Sequence, residues 1–164
     1  MESIQYIDFL KERLSKYYDI TENYMISDIN FEVIAKCNVI SERYFFTKGA
    51  VIDSFNTYEY YLIKTIDTYN LDYFKSLLEK IITNLDSYEV EENHMRTIVN
   101  LVFLINENSG ENIENFVKKF RYSRNIKFGL KGWIEASLVL VNLKENIIIS
   151  NKKGKDIIEF LKIK

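Results

Sequence analysis

Two long apolar segments, residues 97–105 and 133–143, constrain the fold of this chain more than any other feature. Each runs almost without interruption through aliphatic and β-branched side chains, which is typical of strands whose sheet is covered on both faces. A helical pattern at residues 111–121 separates them. A strand, a helix and a strand over this distance predict two neighbouring parallel strands joined by a right-handed crossover.

Shorter patterns predict the remaining elements. Apolar residues at helical spacing predict helices over residues 3–18 and 70–86, and a short closing helix over 157–161. Residues 54–57 predict a hairpin turn. Segments with alternating or β-branched residues predict the other strands, which are residues 31–39, 43–53, 58–66 and 147–149.

The resulting element order, αβββαβαββα, predicts an α/β (mixed α+β) fold in which helices flank a single mixed β-sheet. The chain has 164 residues, no proline and five glycines, so no flexible linker divides it. We therefore expect one globular domain over residues 1–164. A short turn after residue 143 predicts that the strand at 147–149 pairs antiparallel with the strand at 133–143.

Composition excludes several kinds of site. One cysteine, Cys37, excludes an internal disulfide, and one histidine, His94, excludes a His-rich metal site. We therefore expect no catalytic residue, no cofactor and no metal ligand. No apolar segment approaches the length of about 20 residues that a membrane-spanning helix needs, and no secretory leader follows Met1. Both features favour a cytoplasmic protein that does not enter a membrane.

Asp53, Glu59 and Lys64 bracket two predicted strands in an element order that resembles the core of restriction-endonuclease-like nucleases. The resemblance implies Mg²⁺ held by acids on two strands, with a lysine two residues after the second acid. Leu62 occupies that acid position here, and Glu59 lies five residues from Lys64, on the opposite face of a regular strand. The pattern therefore predicts, at most, a diverged protein that lacks an intact catalytic motif and cleaves no nucleic acid.

Charge divides the chain unequally. Residues 1–112 hold 10 basic and 19 acidic side chains, whereas residues 113–164 hold 12 basic and 5 acidic ones. Basic residues with interleaved aromatic ones are typical of a nucleic-acid or other polyanion surface, although such a run is also typical of a solvated helix end. Two clusters carry this charge: Lys118, Lys119, Arg121, Arg124, Lys127 and Lys131, followed by Lys152, Lys153 and Lys155. The antiparallel pairing of the last two strands should bring the clusters to one edge of the fold.

Motifs in the second half of the chain resemble a family of small uncharacterised bacterial cytoplasmic proteins, a domain of unknown function. The resemblance covers about half of the chain and implies one intracellular domain, without implying any activity. The residues that carry it are His94-Met95, Lys119-Phe120-Arg121-Tyr122, Lys127-Phe128-Gly129, Gly132-Trp133, Val141 to Leu143, and Asn151-Lys152-Lys153-Gly154-Lys155.

These observations favour a non-enzymatic protein-interaction module, whose partner is another protein or a second copy of the chain. An aromatic content of 15% supports this hypothesis, because aromatic residues are enriched at interfaces. The alternative is a nucleic-acid-binding protein that uses the basic C-terminal face, and a diverged nuclease-like protein is the third hypothesis.

Overall fold

The computed structural model describes residues 2–44, 51–66 and 70–163, with side chains for residues 2–42, 54–66 and 70–163. Within these ranges, helices cover both faces of one mixed seven-stranded sheet, which confirms the predicted fold class. The helices are α1 (Ser3–Leu14), α2 (Leu71–Ser87), α3 (Glu111–Lys119) and α4 (Ile158–Leu161). The strands are β1 (Asp19–Ile26), β2 (Ile29–Tyr44), β3 (Val51–Thr65), β4 (His94–Ile105), β5 (Tyr122–Asn125), β6 (Trp133–Asn142) and β7 (Ile147–Ser150).

The order of strands across the sheet is β1-β2-β3-β4-β6-β5, and β7 also pairs with β6. The first three strands form an antiparallel meander. β4 then runs parallel to both β3 and β6, and the parallel pairing with β6 was predicted from the two long apolar segments. β7 pairs antiparallel with β6, which was also expected from the short turn between them.

Alternation along the central strands gives the sheet two apolar faces. On one face, α2 and α3 pack against residues such as Leu101 of β4 and Leu138 of β6. On the other face, α1 and α4 pack against Val102 and Val139, the next residues along the same strands. Because helices cover both faces, the sequences of β4 and β6 are apolar at nearly every position and do not alternate between apolar and polar residues. None of the helices in the described part of the chain is long and apolar enough to cross a membrane.

The predicted hairpin turn at residues 54–57 is wrong. These residues lie inside β3, where Asn56 pairs with Ile40 of β2 on one side and with His94 of β4 on the other. Their polar side chains are typical of a turn, but their backbone pairs with the neighbouring strands β2 and β4. Residues 45–50, which separate β2 from β3, lie outside the described part of the chain.

Two edge strands were not predicted. β1 is mostly exposed and lacks an apolar face, and Asn23 in its middle has a positive φ of 50°. β5 is four residues long and includes Arg124 of the basic cluster. Neither strand buries enough apolar surface to leave a periodic pattern, so the pairing with β2 and β6 is what defines them.

One buried side chain, that of Asn151, completes the outer edge of β6. β5 pairs with the first half of this edge and β7 with the second half. Between them, Asn151 Oδ1 accepts hydrogen bonds from the backbone N–H groups of Leu138, at 3.1 Å, and Gly154, at 2.8 Å. Its Nδ2 donates to the carbonyl oxygen of Phe120, just before β5, at 3.2 Å.

We predict that Asn151→Ala lowers the free energy of unfolding by about 3 kcal/mol, because three backbone groups inside the fold lose a partner. Urea denaturation followed by circular dichroism measures this. Asn38→Ala, at an exposed position of β2, is the matched control and should change stability by less than about 0.5 kcal/mol. Equal stability of the two variants would show that Asn151 does not hold the edge together.

Candidate functional site

The hydrogen bond between Asn151 and Phe120 brings the start of the first basic cluster beside the start of the second. Lys119 and Arg121 flank Phe120, and Lys152 follows Asn151 directly. The second cluster also reaches β6, where Lys153 Nζ lies 2.6 Å from the carboxylate of Glu135. Residues 118–121 and 151–155 therefore lie side by side at the β6 edge of the sheet.

The fold itself uses four of the nine predicted cations. Lys118 pairs with Glu114 one helical turn earlier, and Lys153 pairs with Glu135. Arg121 donates to the carbonyl oxygens of Lys118 and Phe120, at the end of α3. These contacts neutralise helix ends and a buried acid.

Arg124 closes the end of α2. Its guanidinium donates to the carbonyl oxygen of Asp86 and, at 2.6 Å, to that of Tyr88. The other five cations form no ion pair within the described part of the chain, and they are Lys119, Lys127, Lys131, Lys152 and Lys155.

A buried acid between two cations lies beside this edge, and the sequence did not predict it. Glu135 of β6 is 5% exposed and receives hydrogen bonds from Arg96 on one oxygen and from Lys153 on the other. Burial raises the pKa of Glu135, but the hydrogen bonds from Lys153 and Arg96 outweigh it and hold the pKa below its usual value. The carboxylate is therefore ionised at neutral pH.

A second polar network crosses three strands on the face that α1 covers. Tyr18 donates to Glu59 at 2.8 Å, Asn100 donates to the other oxygen of Glu59 at 2.9 Å, and Ser137 donates to Asn100 at 2.7 Å. These contacts satisfy every member of the row and fix the register of β3, β4 and β6. The network supports a structural role for Glu59.

The structure does not bring together the residues of the nuclease-like pattern. Glu59 faces α1, whereas Lys64 lies on the opposite face of β3 and donates to the carbonyl oxygen of Asn30 at 2.8 Å. The side chain of Asp53 lies outside the described part of the chain. Among the described residues, no group of three or more His, Cys, Asp or Glu side chains is placed to hold a metal ion.

Residues 126–132, which we call the tip loop, link β5 to β6. The backbone folds back on itself, with Ile126 O accepting from both Gly129 N at 2.9 Å and Lys131 N at 3.2 Å. Lys127 and Phe128 have positive φ angles of 47° and 56°, which cost energy for residues with a side chain. The loop therefore has a defined and strained conformation.

The tip loop is attached firmly to the start of β4. A Cβ atom on Gly132 would lie 1.8 Å from the carbonyl oxygen of Met95, so only glycine fits there. His94 is buried, and its Nδ1 lies 2.7 Å from the carbonyl oxygen of Lys131. Its Nε2 lies 2.8 Å from Thr97 Oγ1. His94 thus anchors the tip loop from inside the fold.

The tip loop holds two apolar side chains in solvent. Phe128 is 104% exposed and Leu130 is 88% exposed, and Met95 beside them is 41% exposed. A side chain left fully exposed gains none of the roughly 1.5–3 kcal/mol that burial of a Phe or Leu provides. A rigid backbone that presents such side chains is typical of a binding surface.

Comparison with known protein families gives one match. The family described as Domain of unknown function (DUF8052) matches residues 2–163. The chain belongs to this family. The match confirms the resemblance to a domain of unknown function and extends it from half of the chain to nearly the whole chain. Neither the curated proteins nor the solved structures compared with it include a match.

We predict that Glu135→Gln lowers the free energy of unfolding by about 1–2 kcal/mol at pH 7, because Arg96 and Lys153 lose an ionised partner. A lowered pKa in the folded state means that this stabilisation is present above the usual value of 4.5 and is lost as the pH falls through the folded-state pKa. Urea denaturation of both proteins across this pH range should show the difference shrinking below pH 4.5.

Glu114→Gln is the control, because the Glu114 side chain is 26% exposed against 6% for Glu135 and pairs with one cation instead of two, so its ion pair should stabilise the fold less. A difference between wild type and Glu135→Gln that grows as the pH falls would contradict the assignment of Glu135 as an ionised, doubly bonded carboxylate.

Proposed function

We propose that this protein is a non-catalytic, cytoplasmic interaction module that inserts the tip loop into an apolar pocket of a partner protein. One observation carries the proposal: Phe128 and Leu130 project fully into solvent from a backbone that internal hydrogen bonds and Gly132 hold in place. The proposal narrows the protein-interaction hypothesis from the whole surface to seven residues.

The energetics favour the tip loop as an anchor. Burying both side chains in a partner would contribute about 3–6 kcal/mol before the cost of association is subtracted. Because the loop is already ordered, binding would cost little further conformational entropy of its backbone. An aromatic side chain in a preformed position is the usual centre of an interface hot spot.

The charges around the tip loop indicate the chemistry of the partner. Lys127 and Lys131 flank the two apolar side chains and form no ion pair with described residues. A partner surface that complements them would have an apolar pocket with acidic side chains at its rim. Such charges would act mainly on the rate of association and on the choice of partner.

The hydrogen bonding of Glu59 and Glu135 supports a non-catalytic role. Both oxygens of Glu59 and both oxygens of Glu135 accept hydrogen bonds from within the fold. A general base or a nucleophile needs an oxygen that can reach the substrate. These two carboxylates instead fix the strands that carry them.

We predict that the double variant Phe128→Ser/Leu130→Ser weakens partner binding at least tenfold while leaving stability within about 0.5 kcal/mol of wild type. A photo-crosslinking amino acid at position 128 in living cells identifies the partner, and calorimetry with the purified partner measures the affinity. Ile4→Ser/Tyr17→Ser is the matched control, because these side chains are also exposed, at 70% and 78%, but lie on and after α1.

Three measurements separate the outcomes. Saturable crosslinking to one protein, lost in the Phe128→Ser/Leu130→Ser variant only, supports the proposal. Equal affinity of that variant and wild type would refute it. In a flotation assay with vesicles that contain anionic lipid, binding of the protein to the vesicles through the tip loop, without a protein partner, would also refute the proposal.

A second candidate function, binding of a polyanion such as nucleic acid, is favoured by the contact between Asn151 and Phe120. This contact places Lys119 and Lys152 close together, and neither forms an ion pair with described residues. Lys155 follows in the same segment, and Lys127 and Lys131 lie beyond β5. These five cations are a smaller set than the nine expected from the sequence.

If the polyanion hypothesis holds, short DNA or RNA should bind in gel-shift titrations at low salt, and the affinity should fall steeply as salt rises. Lys119→Gln/Lys152→Gln should weaken binding, whereas Lys16→Gln/Lys144→Gln removes the same charge from other exposed sites and should not. Arg124 is left intact, because it closes α2. Absence of binding at low salt, or an equal loss of affinity in both double variants, would refute the polyanion hypothesis and leave only the protein-interaction proposal.

A further inference from the structure

A cavity of about 510 Å³ lies between the sheet and the C-terminal half of α2. Its volume falls within the range of roughly 300–1,000 Å³ that is common for small-molecule sites. The cavity opens near β1 and β2, where α2 does not reach across the sheet. No residue of the tip loop lines it, so it is distinct from the interface proposed above.

The walls of the cavity are predominantly apolar. α2 contributes Ile81 and Leu85, and the sheet contributes side chains from β2, β3, β4 and β6. The sheet residues that line it include Phe31, Ile34, Leu62, Val99 and Ile134. Such walls favour a hydrocarbon or aromatic body and would exclude water from it.

Polar groups gather at one part of the lining. Lys36 Nζ lies 5.3 Å from the centre of the Tyr58 ring and 5.8 Å from that of Tyr60, so a cation is held over aromatic faces. Tyr60 and Tyr88 also line the cavity. Burial raises the pKa of Tyr88 to about 12, so its hydroxyl keeps its proton at neutral pH.

Burial also raises the pKa of Tyr60, so the protonated hydroxyls of Tyr60 and Tyr88 can each donate a hydrogen bond to a ligand. Together with the ammonium group of Lys36, they form a donor set for a negatively charged oxygen. Asp19 also lines the cavity and sits directly opposite Lys36 across the β1–β2 pair. Its charge would repel a doubly charged phosphate more than a singly charged carboxylate.

From this arrangement we infer that the cavity binds an amphiphilic monocarboxylate, that is, a fatty acid or a similar acyl carboxylic acid. The hydrocarbon chain lies against Leu62, Leu85 and Val99, and the carboxylate accepts hydrogen bonds from Lys36 and from the Tyr60–Tyr88 pair. Apolar burial provides most of the affinity, and the charged head fixes the orientation.

Titration of the full-length protein with sodium decanoate, below its micellar concentration, tests the inference by NMR and calorimetry. We expect saturable binding, with the largest shifts at the amides of Thr97, Val99 and Ile134. Lys36→Met keeps the aliphatic stem but removes the charge, and should weaken binding about tenfold. Lys16→Met, on the α1 side of the fold, is the matched control and should bind as wild type does.

Two further comparisons keep the test independent of folding and of the proposed function. Decanol lacks the carboxylate and should bind wild type about tenfold more weakly than decanoate does. Decanol should bind Lys36→Met with the same affinity as wild type. The Phe128→Ser/Leu130→Ser variant should bind decanoate normally, whatever becomes of partner binding. No saturable binding, shifts centred outside the cavity, or equal affinity of wild type and Lys36→Met for decanoate would overturn the inference.

Discussion

The buried amide of Asn151 is the contact on which the C-terminal half of the molecule depends. Its oxygen receives a backbone donor from β6 and another from the turn after β7, while its nitrogen reaches the segment before β5. Two short strands can therefore share one edge of β6 although neither is long enough to hold its place alone. The position of α3, β5 and the tip loop relative to the central sheet follows from this junction.

Several charged side chains of this chain bind groups within the fold itself. Arg121 and Arg124 bind carbonyl oxygens at the ends of helices, and Arg96 and Lys153 surround one buried carboxylate. Such contacts satisfy polar groups that would otherwise be costly to bury. The uneven charge distribution of the sequence is thus partly structural, and fewer cations remain for a partner than a count of residues indicates.

The sequence predicted the central parallel strands, the crossover and three helices, because each buries a long apolar face with its own period. It did not predict β1 or β5, because edge strands are defined by pairing rather than by burial. The sequence also did not predict that Phe128 and Leu130 are exposed, because composition does not show whether an apolar residue lies inside the fold or at its surface. Gly129 and Gly132 were its one signal, because glycines near a strand start indicate a tight turn. His94 and Glu135 acquire their roles through residues 37 and 39 positions away, and no local pattern reports that.

Among the described strands, the sheet ends in the eight-residue β1 on one side and in the four-residue β5 and β7 on the other. β1 therefore offers the longer edge to an added strand, since a free edge is where another chain can pair. At that edge, Asn23 departs from extended geometry, and the charges of Asp19 and Glu22 oppose docking of an apolar strand. Short strands thus limit pairing at one border, and local distortion and charge limit it at the other, which gives two separate defences against self-assembly into fibres.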